Sequence, residues 1–464
     1  MPIITILDLP LPRSSAVTTL NFRVADWPTI NTALTQQLEA ESPAVHIKSK
    51  EEFDHKVDEV VHIIKVVLEE HLEEKKPNPF KRRWWTEELT SLKKKQNRLS
   101  SKSFKFRHVR DHPVHAEYKA SANKFKEVMR ETRDQDWKDW LESISQQDLY
   151  IANKYITSEP TDYSSTRIPI LRTTSNGLPD IAEDNAAKAI ALTESFFPPP
   201  PAISHVPPNQ VYPTPLRGPR FFSKSRIRQV VKTLSPYKAP GPDNIPNIVL
   251  MKCIEALIDH CFYIFRAVFE LRVYHVRWLE SITLVLHKIG KTVYDIAKSY
   301  RLIGLTNTMS KVLSTLCSKH TSYLAEKHNL LPPTQFGGCP GRNTTDAMLL
   351  VVHKIKGAWR RGKVAAVLFL DVQGTFPNTV KEQLIHNMCM RRVLKCLTDI
   401  VTLSLTGRTT RLKFDDFISD PIHLDNGTTQ GDPSSMSHFG FYKAPLIETA
   451  SSDDELSPGL STTS

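Results

Sequence analysis

The sequence predicts an α+β fold, in which helices dominate the first part of the chain and strands join them in the second. Apolar residues at helical spacing indicate amphipathic helices at residues 51–74 and 247–272. Apolar, β-branched runs indicate strands at residues 282–286 and 364–370. With a predicted hairpin at residues 409–424, these segments are the basis for the fold class.

The composition is that of a folded chain with stiff connections. A length of 464 residues with 40% hydrophobic residues allows two or three domains with a real core, and 32 prolines against 16 glycines indicate stiff linkers. The six cysteines lack CxxC spacing and are interpreted as reduced thiols of an intracellular protein. No apolar run reaches the roughly 18 residues of a membrane span, so no membrane partner is expected.

The first part of the chain is predicted to be mainly helical. Residues 2–9 alternate as a strand does, and residues 114–145 and 180–196 carry further helical patterns. Nine prolines from Pro198 to Pro219 favour polyproline II structure, which cannot join a packed core. This stretch is therefore predicted to separate a helical N-terminal region from a second domain.

The positive charge of the chain is concentrated in one segment. The net charge is +11, and residues 75–133 hold 18 Lys and Arg against 6 Asp and Glu. Two tryptophans lie among the cations of this segment: Lys81, Arg82, Arg83, Trp84, Trp85, Lys93, Lys94, Lys95 and Arg98. Cations that neutralise phosphates, beside aromatic rings that stack on bases, favour a nucleic-acid-binding surface. A helix with a tryptophan anchor and a solvated basic face that binds nothing is the alternative.

The second domain is predicted to begin with a helix at residues 225–234. Prolines then enforce an extended loop before the helix at 247–272. A later helix is expected to begin near Val380, because Thr379 and Glu382 have the capping-box spacing.

Residues 364–378 are the stretch on which the functional interpretation depends. The run Val364 to Leu370 is predicted to be a central strand, buried on both faces and ending at Asp371. Asp371 has two interpretations. In the structural one it caps the next helix or pairs with an arginine, and in the functional one it binds Mg²⁺ beside a triphosphate. Residues 425–433, DNGTTQGDP, form a Gly-rich turn whose backbone amides could lie against a base or phosphate.

These two segments resemble motifs A and B of the reverse transcriptase palm. Residues 235–247, 278–305 and 335–346 are similar to three preceding blocks of LINE-type (non-LTR) retroelement reverse transcriptases, so that five blocks in family order cover about 200 residues. The resemblance implies a partial polymerase right hand, with fingers and a palm built on an antiparallel sheet and with the thumb absent. The activity it implies is that of an RNA-directed DNA polymerase, a nucleotidyltransferase.

The resemblance also implies roles for particular residues. Asp371 is the catalytic carboxylate and, with the Val372 carbonyl, a ligand of Mg²⁺. Phe376 is the steric gate against a ribose 2′-hydroxyl. The nucleotide-binding residues are Lys288, Arg301, Val372, Phe376, Gln430 and Gly431. One departure is that Leu302 follows Arg301 where the family usually has proline.

The family's motif C, an Asp-Asp hairpin that completes a two-Mg²⁺ site, is not found in the sequence. Asp415 and Asp416 precede the motif B segment, and Asp453 and Asp454 have no flanking strands. The chain is therefore interpreted as truncated before this motif, with little or no polymerase activity expected.

The resemblance suggests an order of domains and a set of partners. An endonuclease remnant is expected at 1–20, a helical basic linker region at 21–197, a Pro-rich linker at 198–220, the reverse transcriptase-like part at 221–445 and a disordered tail at 446–464. The implied partners are an RNA template, a DNA primer and deoxynucleoside triphosphates, and the implied location is intracellular, the nucleus included. The alternatives are a non-enzymatic nucleic-acid-binding protein that uses residues 75–133, and a decayed product that folds poorly because a sheet edge is exposed.

Overall fold

The computed structural model describes residues 19–75, 84–143, 168–175, 178–218, 222–288, 290–372, 374–415, 417–450 and 455–459. The chain divides into two compact units. The smaller comprises residues 1–19 and 75–164, and the larger comprises residues 20–74 and 165–464.

The first described elements are two helices flanked by very short strands. They are β1 (Thr19–Leu20), α1 (Trp27–Glu41), α2 (Lys50–His71) and β2 (Glu74–Lys75). The predicted helix at 51–74 is confirmed as α2. Ser49 caps its N-terminus, because the Ser49 hydroxyl accepts from the Glu52 amide. Its apolar face is buried, with Phe53 and Val60 inaccessible to solvent.

The described part of the smaller unit is a pair of helices, α3 (Glu87–Lys105) and α4 (Pro113–Ser143). The Thr86 hydroxyl caps α3 by accepting from the Leu89 amide. Leu89 and Phe125 are the buried apolar side chains of this pair, so most of both helices faces solvent. The predicted helix at 114–145 is confirmed.

The larger unit continues with a hairpin and three helices. These are β3 (Leu171–Ser175), β4 (Leu178–Ala182), α5 (Asn185–Phe196), α6 (Lys224–Lys232) and α7 (Asn247–Leu271). The helices predicted at 180–196, 225–234 and 247–272 are confirmed, with α5 starting later than expected because β4 occupies its first residues.

Five strands of the larger unit form one sheet. Its strands are β5 (Glu280–His287), β6 (Tyr300–Leu305), β7 (Arg408–Phe414), β8 (Phe417–Ile418) and β9 (Ile422–Leu424). The order is β6-β5-β7-β8, and β9 also pairs with β7. The hairpin predicted at 409–424 is confirmed. The sheet is mixed rather than antiparallel, because β5 runs parallel to β7, with Glu280 opposite Thr409.

The remaining helices are α8 (Thr308–Lys327), α9 (Thr344–Arg360), α10 (Lys381–Met390), α11 (Lys395–Ser404) and α12 (Ser435–Ile447). Most helices of the larger unit share one apolar core, while β3, β4 and α5 pack on the sheet in a second. The start of α10 after Val380 is as predicted, but no capping box forms there. The Thr379 hydroxyl instead donates to the Thr375 carbonyl.

The central strand predicted at 364–370 is wrong. These residues form no strand, and their apolar side chains face solvent, with Val364 95% and Leu368 79% exposed. A strand needs neighbours that satisfy its backbone groups, and the described strands of the sheet pair only with one another. Asp371 therefore lies in an exposed irregular segment and does not end a buried strand.

Several predictions fall wholly or partly outside the described residues. These are most of the endonuclease remnant at 1–20, the cations Lys81, Arg82 and Arg83, and the pair Asp453–Asp454. Within the predicted tail, Gly459 is described, and its carbonyl accepts from the amides of Phe336 and Gly337. None of the described helices combines the length and apolarity needed to cross a membrane.

Candidate active site

The Gly-rich segment 425–433 is attached to two neighbouring parts of the larger unit. The Gln430 carbonyl accepts from the Gly304 amide of β6 at 2.7 Å. On its other side, the Thr428 amide donates to the Phe376 carbonyl at 2.8 Å. The segment that resembles motif B thus joins β6 to the end of the segment that resembles motif A.

Two glycines make these close approaches possible. Gly427 has φ +78°, and a Cβ there would lie 2.6 Å from the Pro377 carbonyl oxygen. Gly431 has φ +114°, and a Cβ there would lie 2.7 Å from the Gly304 carbonyl oxygen. Residues with a side chain rarely adopt these positive φ angles, and a Cβ atom would not fit at either position. Both the backbone conformation and the available space therefore require glycine.

Arg408, at the start of β7, is a positioning residue that the sequence analysis missed. Its guanidinium donates to the carbonyls of Asn426 and Gly427, at 2.9 Å for the former, and to the Thr429 hydroxyl at 3.3 Å. Burial lowers the pKa of Arg408 to about 10, opposed by the negative charges of Asp432 and Asp425. The sequence signal for it, an arginine at an inward position of an alternating strand, is weak.

Asp432 ties the other end of the loop to helix α8. One of its carboxylate oxygens accepts from the Ser314 hydroxyl at 2.5 Å and from the Ser434 amide at 2.8 Å. Behind it, burial lowers the pKa of His438 to about 4, so this imidazole is neutral near pH 7. Both ends of the loop are therefore held by polar side chains, Arg408 buried at one end and Asp432 half-buried at the other.

The structure brings three of the predicted nucleotide-binding residues into one region. Phe376 is half-buried, with its ring edge-to-face against Phe439 at 6.3 Å between centroids. Gln430 and Gly431 lie in the loop that is bonded to the Phe376 backbone. Gln430 thus follows, along the loop, the residue Thr428 whose amide donates to the Phe376 carbonyl.

Asp371 and Val372 are held less firmly. Both are exposed, and the Val372 carbonyl accepts from the Thr375 hydroxyl at 3.2 Å. Within the described part of the chain, no cluster of three or more His, Cys, Asp or Glu side chains could hold a metal ion. One carboxylate with one carbonyl does not fit a site for two Mg²⁺ ions, which needs several carboxylate oxygens.

Lys288 and Arg301 lie near one end of the β5–β6 pair. Arg301 is opposite Leu286 in the ladder, and Lys288 follows β5 directly, its ammonium donating to the Lys298 carbonyl at 2.9 Å. Burial, followed by repulsion from Lys291 and Arg301, lowers the pKa of Lys288. A group of cations that repel one another is suited chemically to an anionic ligand.

The first block, residues 235–247, forms a loop fixed to the start of α8. The Asp243 carboxylate accepts from the amides of Ile245 and Thr308, at 3.2 and 3.4 Å. Its burial is the main reason that the pKa of Asp243 is raised to about 6. The loop is thus fixed to the residues that follow β6.

In the smaller unit, some of the aromatic and basic residues pack against other side chains, and others are exposed to solvent. Trp85 lies 6.0 Å from the Phe125 ring and donates from its indole nitrogen to the Thr90 hydroxyl, so it is partly an anchor. Lys93 lies over the Phe125 ring at 5.0 Å, and Trp84 lies 5.8 Å from Trp85. Lys94, Lys95 and Arg98 are exposed along α3.

Comparison with known proteins finds relatives among the RNA-directed DNA polymerases of mobile elements. The chain is 27% identical over 214 residues to the "Probable RNA-directed DNA polymerase from transposon X-element" of Drosophila melanogaster, covering 45% of this chain and 23% of that protein. A relative from transposon BS is 26% identical over 178 residues, covering 38% and 20%. The polymerase from mobile element jockey is 24% identical over 205 residues, covering 44% and 22%.

These relatives confirm the resemblance to the reverse transcriptases of LINE-type (non-LTR) retroelements. The matched segment spans about a fifth of the length of the curated relatives, as the 20–23% coverage shows. No protein-family model matches the chain.

Proposed function

We propose that this chain carries the fingers and part of the palm of a LINE-type reverse transcriptase, and that these 464 residues alone add nucleotides weakly or not at all. The observation that carries the proposal is the split in the site: the loop of Gln430 and Gly431 is bonded to Phe376, whereas Asp371 lies in an exposed segment. In this proposal the bonded loop supports the surface beside the templating base pair, and the exposed segment of Asp371 is an incomplete metal-binding part.

In this proposal Phe376 selects deoxynucleotides, while Gln430 and Gly431 border the templating base pair. Lys288 and Arg301 receive the phosphates of the incoming nucleotide, one as a point charge and the other as a planar fork. The RNA template and DNA primer are the remaining partners. Asp371 and the Val372 carbonyl are proposed ligands of Mg²⁺, which when bound would stabilise the developing negative charge of phosphoryl transfer.

The low activity follows from the donor set. Two divalent ions require more carboxylate oxygens than Asp371 supplies. Asp371 and the Val372 carbonyl therefore do not make a complete site for two Mg²⁺ ions.

Primer extension on an RNA template with Mg²⁺ and deoxynucleotides tests the proposal. We expect no more incorporation by the chain than by its Asp371→Ala variant. The exposed Asp420→Ala variant serves as the matched control. Incorporation that Asp371→Ala abolishes and Asp420→Ala retains would show that the site is complete, and the proposal of impairment would be wrong.

A second candidate function is nucleic-acid binding by the smaller unit without catalysis. It is favoured by the exposed cations Lys94, Lys95 and Arg98 on α3, which can contact phosphates without reorganising the fold. Replacing these three by Gln is expected to weaken binding to single-stranded RNA and to reduce the salt slope by about 0.7 per lost contact. The control replaces the exposed Lys48, Lys50 and Lys232 of the larger unit. Equal effects of the two triple changes would contradict a specific surface on α3.

A further inference from the structure

A short parallel bridge joins two parts of the larger unit that are distant in sequence. The Gly459 carbonyl accepts from the amides of Phe336 and Gly337, at 2.9 and 3.0 Å. The Gly459 amide donates in turn to the Thr334 carbonyl at 3.0 Å. Residues 334–337, here called the docking segment, thus hold Gly459 as a sheet edge holds an added strand.

The space around Gly459 excludes any side chain. A Cβ there would lie 2.6 Å from the side-chain oxygen of Gln335 and would also overlap the Ile447 side chain. Both of these side chains are buried, Gln335 completely, so neither can turn aside into solvent. The Gln335 side-chain amide also donates to the Gly337 carbonyl, which fixes its position. The backbone of Gly459 is not left-handed, so space alone requires glycine here.

The docking segment keeps its shape through contacts of its own. The Arg342 guanidinium donates to the carbonyls of Pro333 and Gln335, at 2.8 Å each. The Gln335 amide donates to the Pro332 carbonyl at 2.9 Å. Because none of these bonds involves Gly459, the docking segment is formed independently of it. A preformed site loses little conformational freedom when it binds a peptide.

We infer that the docking segment and Ile447 form a peptide-binding site that selects glycine, and that residues 455–459 of the same chain occupy it reversibly. Backbone hydrogen bonds recognise the extended peptide, and the lack of space at one position supplies the selectivity. Ile447 is the last residue of α12, so the bound peptide packs on the end of that helix. The inference goes beyond the proposed polymerase function and does not depend on it, because none of these residues is assigned to nucleotide or Mg²⁺.

Amide hydrogen exchange of the full chain tests the inference. Gly459→Val is expected to release the peptide and to speed exchange at Phe336 and Gly337 roughly tenfold, because both amides lose their shared acceptor. Gly357→Val is the matched control, since a Cβ at Gly357 meets nothing within 4 Å. Gly459→Ala needs less space and should give a smaller increase. Exchange in the β5–β6 ladder should stay slow in every variant, which shows that the fold is retained.

A synthetic peptide of residues 455–461, blocked at both ends, tests whether the site binds its ligand in trans. At a few millimolar, the order of the effective concentration of a tethered segment, it should slow exchange at Phe336 and Gly337 in the Gly459→Val chain. The same peptide carrying Gly459→Val should have no effect. Unchanged exchange in the Gly459→Val chain overturns the inference. So does a peptide that fails to slow exchange, or one that acts equally well with valine in place of glycine.

Discussion

At the scale of single residues, Arg408 explains how a loop rich in glycine is held in one conformation. Its fork contacts two carbonyls and one hydroxyl of the segment 426–429, which are acceptors that a flexible loop would otherwise expose. A guanidinium is suited to this position because its donors are fixed in a plane. Asp432 performs the matching task for the donors Ser314 and Ser434.

The prediction for this residue is that Arg408→Lys destabilises the larger unit by roughly 2–3 kcal/mol. A lysine keeps the charge but cannot satisfy the same acceptors, and buried acceptors without donors are costly. Urea unfolding measures the change. Arg411→Lys, on the same strand but exposed, should shift the free energy of unfolding by less than about 0.5 kcal/mol. Equal effects at 408 and 411 would contradict the role of Arg408.

At the scale of elements, the loop and the turn after Phe376 act as one unit because Gly427 lets their backbones touch. Gly427→Ala is expected to cost roughly 2–4 kcal/mol, since it adds a left-handed alanine and a clash with Pro377. Gly407 provides the control, because it has φ +69° with open space around it. Gly407→Ala should cost only the conformational part, about 1–2 kcal/mol. If urea unfolding gives the same loss for both variants, the close approach at Gly427 is not the cause.

The elements that the sequence predicts well are those whose signal is local. Helices α2 and α7 were predicted near their observed bounds because each has a continuous apolar face at helical spacing. The hairpin predicted at 409–424 is formed by β7 with β8 and β9. The roles proposed for Phe376 and Gln430 came from the family resemblance rather than from residue patterns.

The predictions that failed depend on distant partners. Residues 364–370 have every local property of a buried strand, but composition cannot show whether a neighbouring strand exists to pair with them. The parallel pairing of β5 with β7 joins residues far apart in sequence and leaves no local pattern. The role of Arg408 likewise depends on acceptors in a loop that follows it along the chain.

At the scale of the whole molecule, acid stability is set by buried groups whose effects oppose each other. Asp243, with a pKa raised to about 6, is more easily protonated in the folded chain, so its contribution to stability falls as pH rises from about 4 to 6. His438, with a pKa lowered to about 4, resists protonation, so its contribution is lost as pH falls below about 6.5. Burial also lowers the pKa values of His260 and His275, which adds to the second effect.

We therefore expect the free energy of unfolding to fall as pH is lowered from 6.5 to 4.5, with Asp243 moderating the loss. Asp243→Asn removes the opposing contribution, so the fall should become steeper by up to about 1.4 kcal/mol per pH unit. Between pH 4 and 7 the stability of the variant relative to the natural chain should rise by up to about 3 kcal/mol. Urea unfolding across this range measures both slopes, with the exposed Asp420→Asn variant as control. If Asp243→Asn leaves the pH dependence of the free energy of unfolding unchanged, the pKa of Asp243 is not raised in the folded chain, and the prediction is wrong.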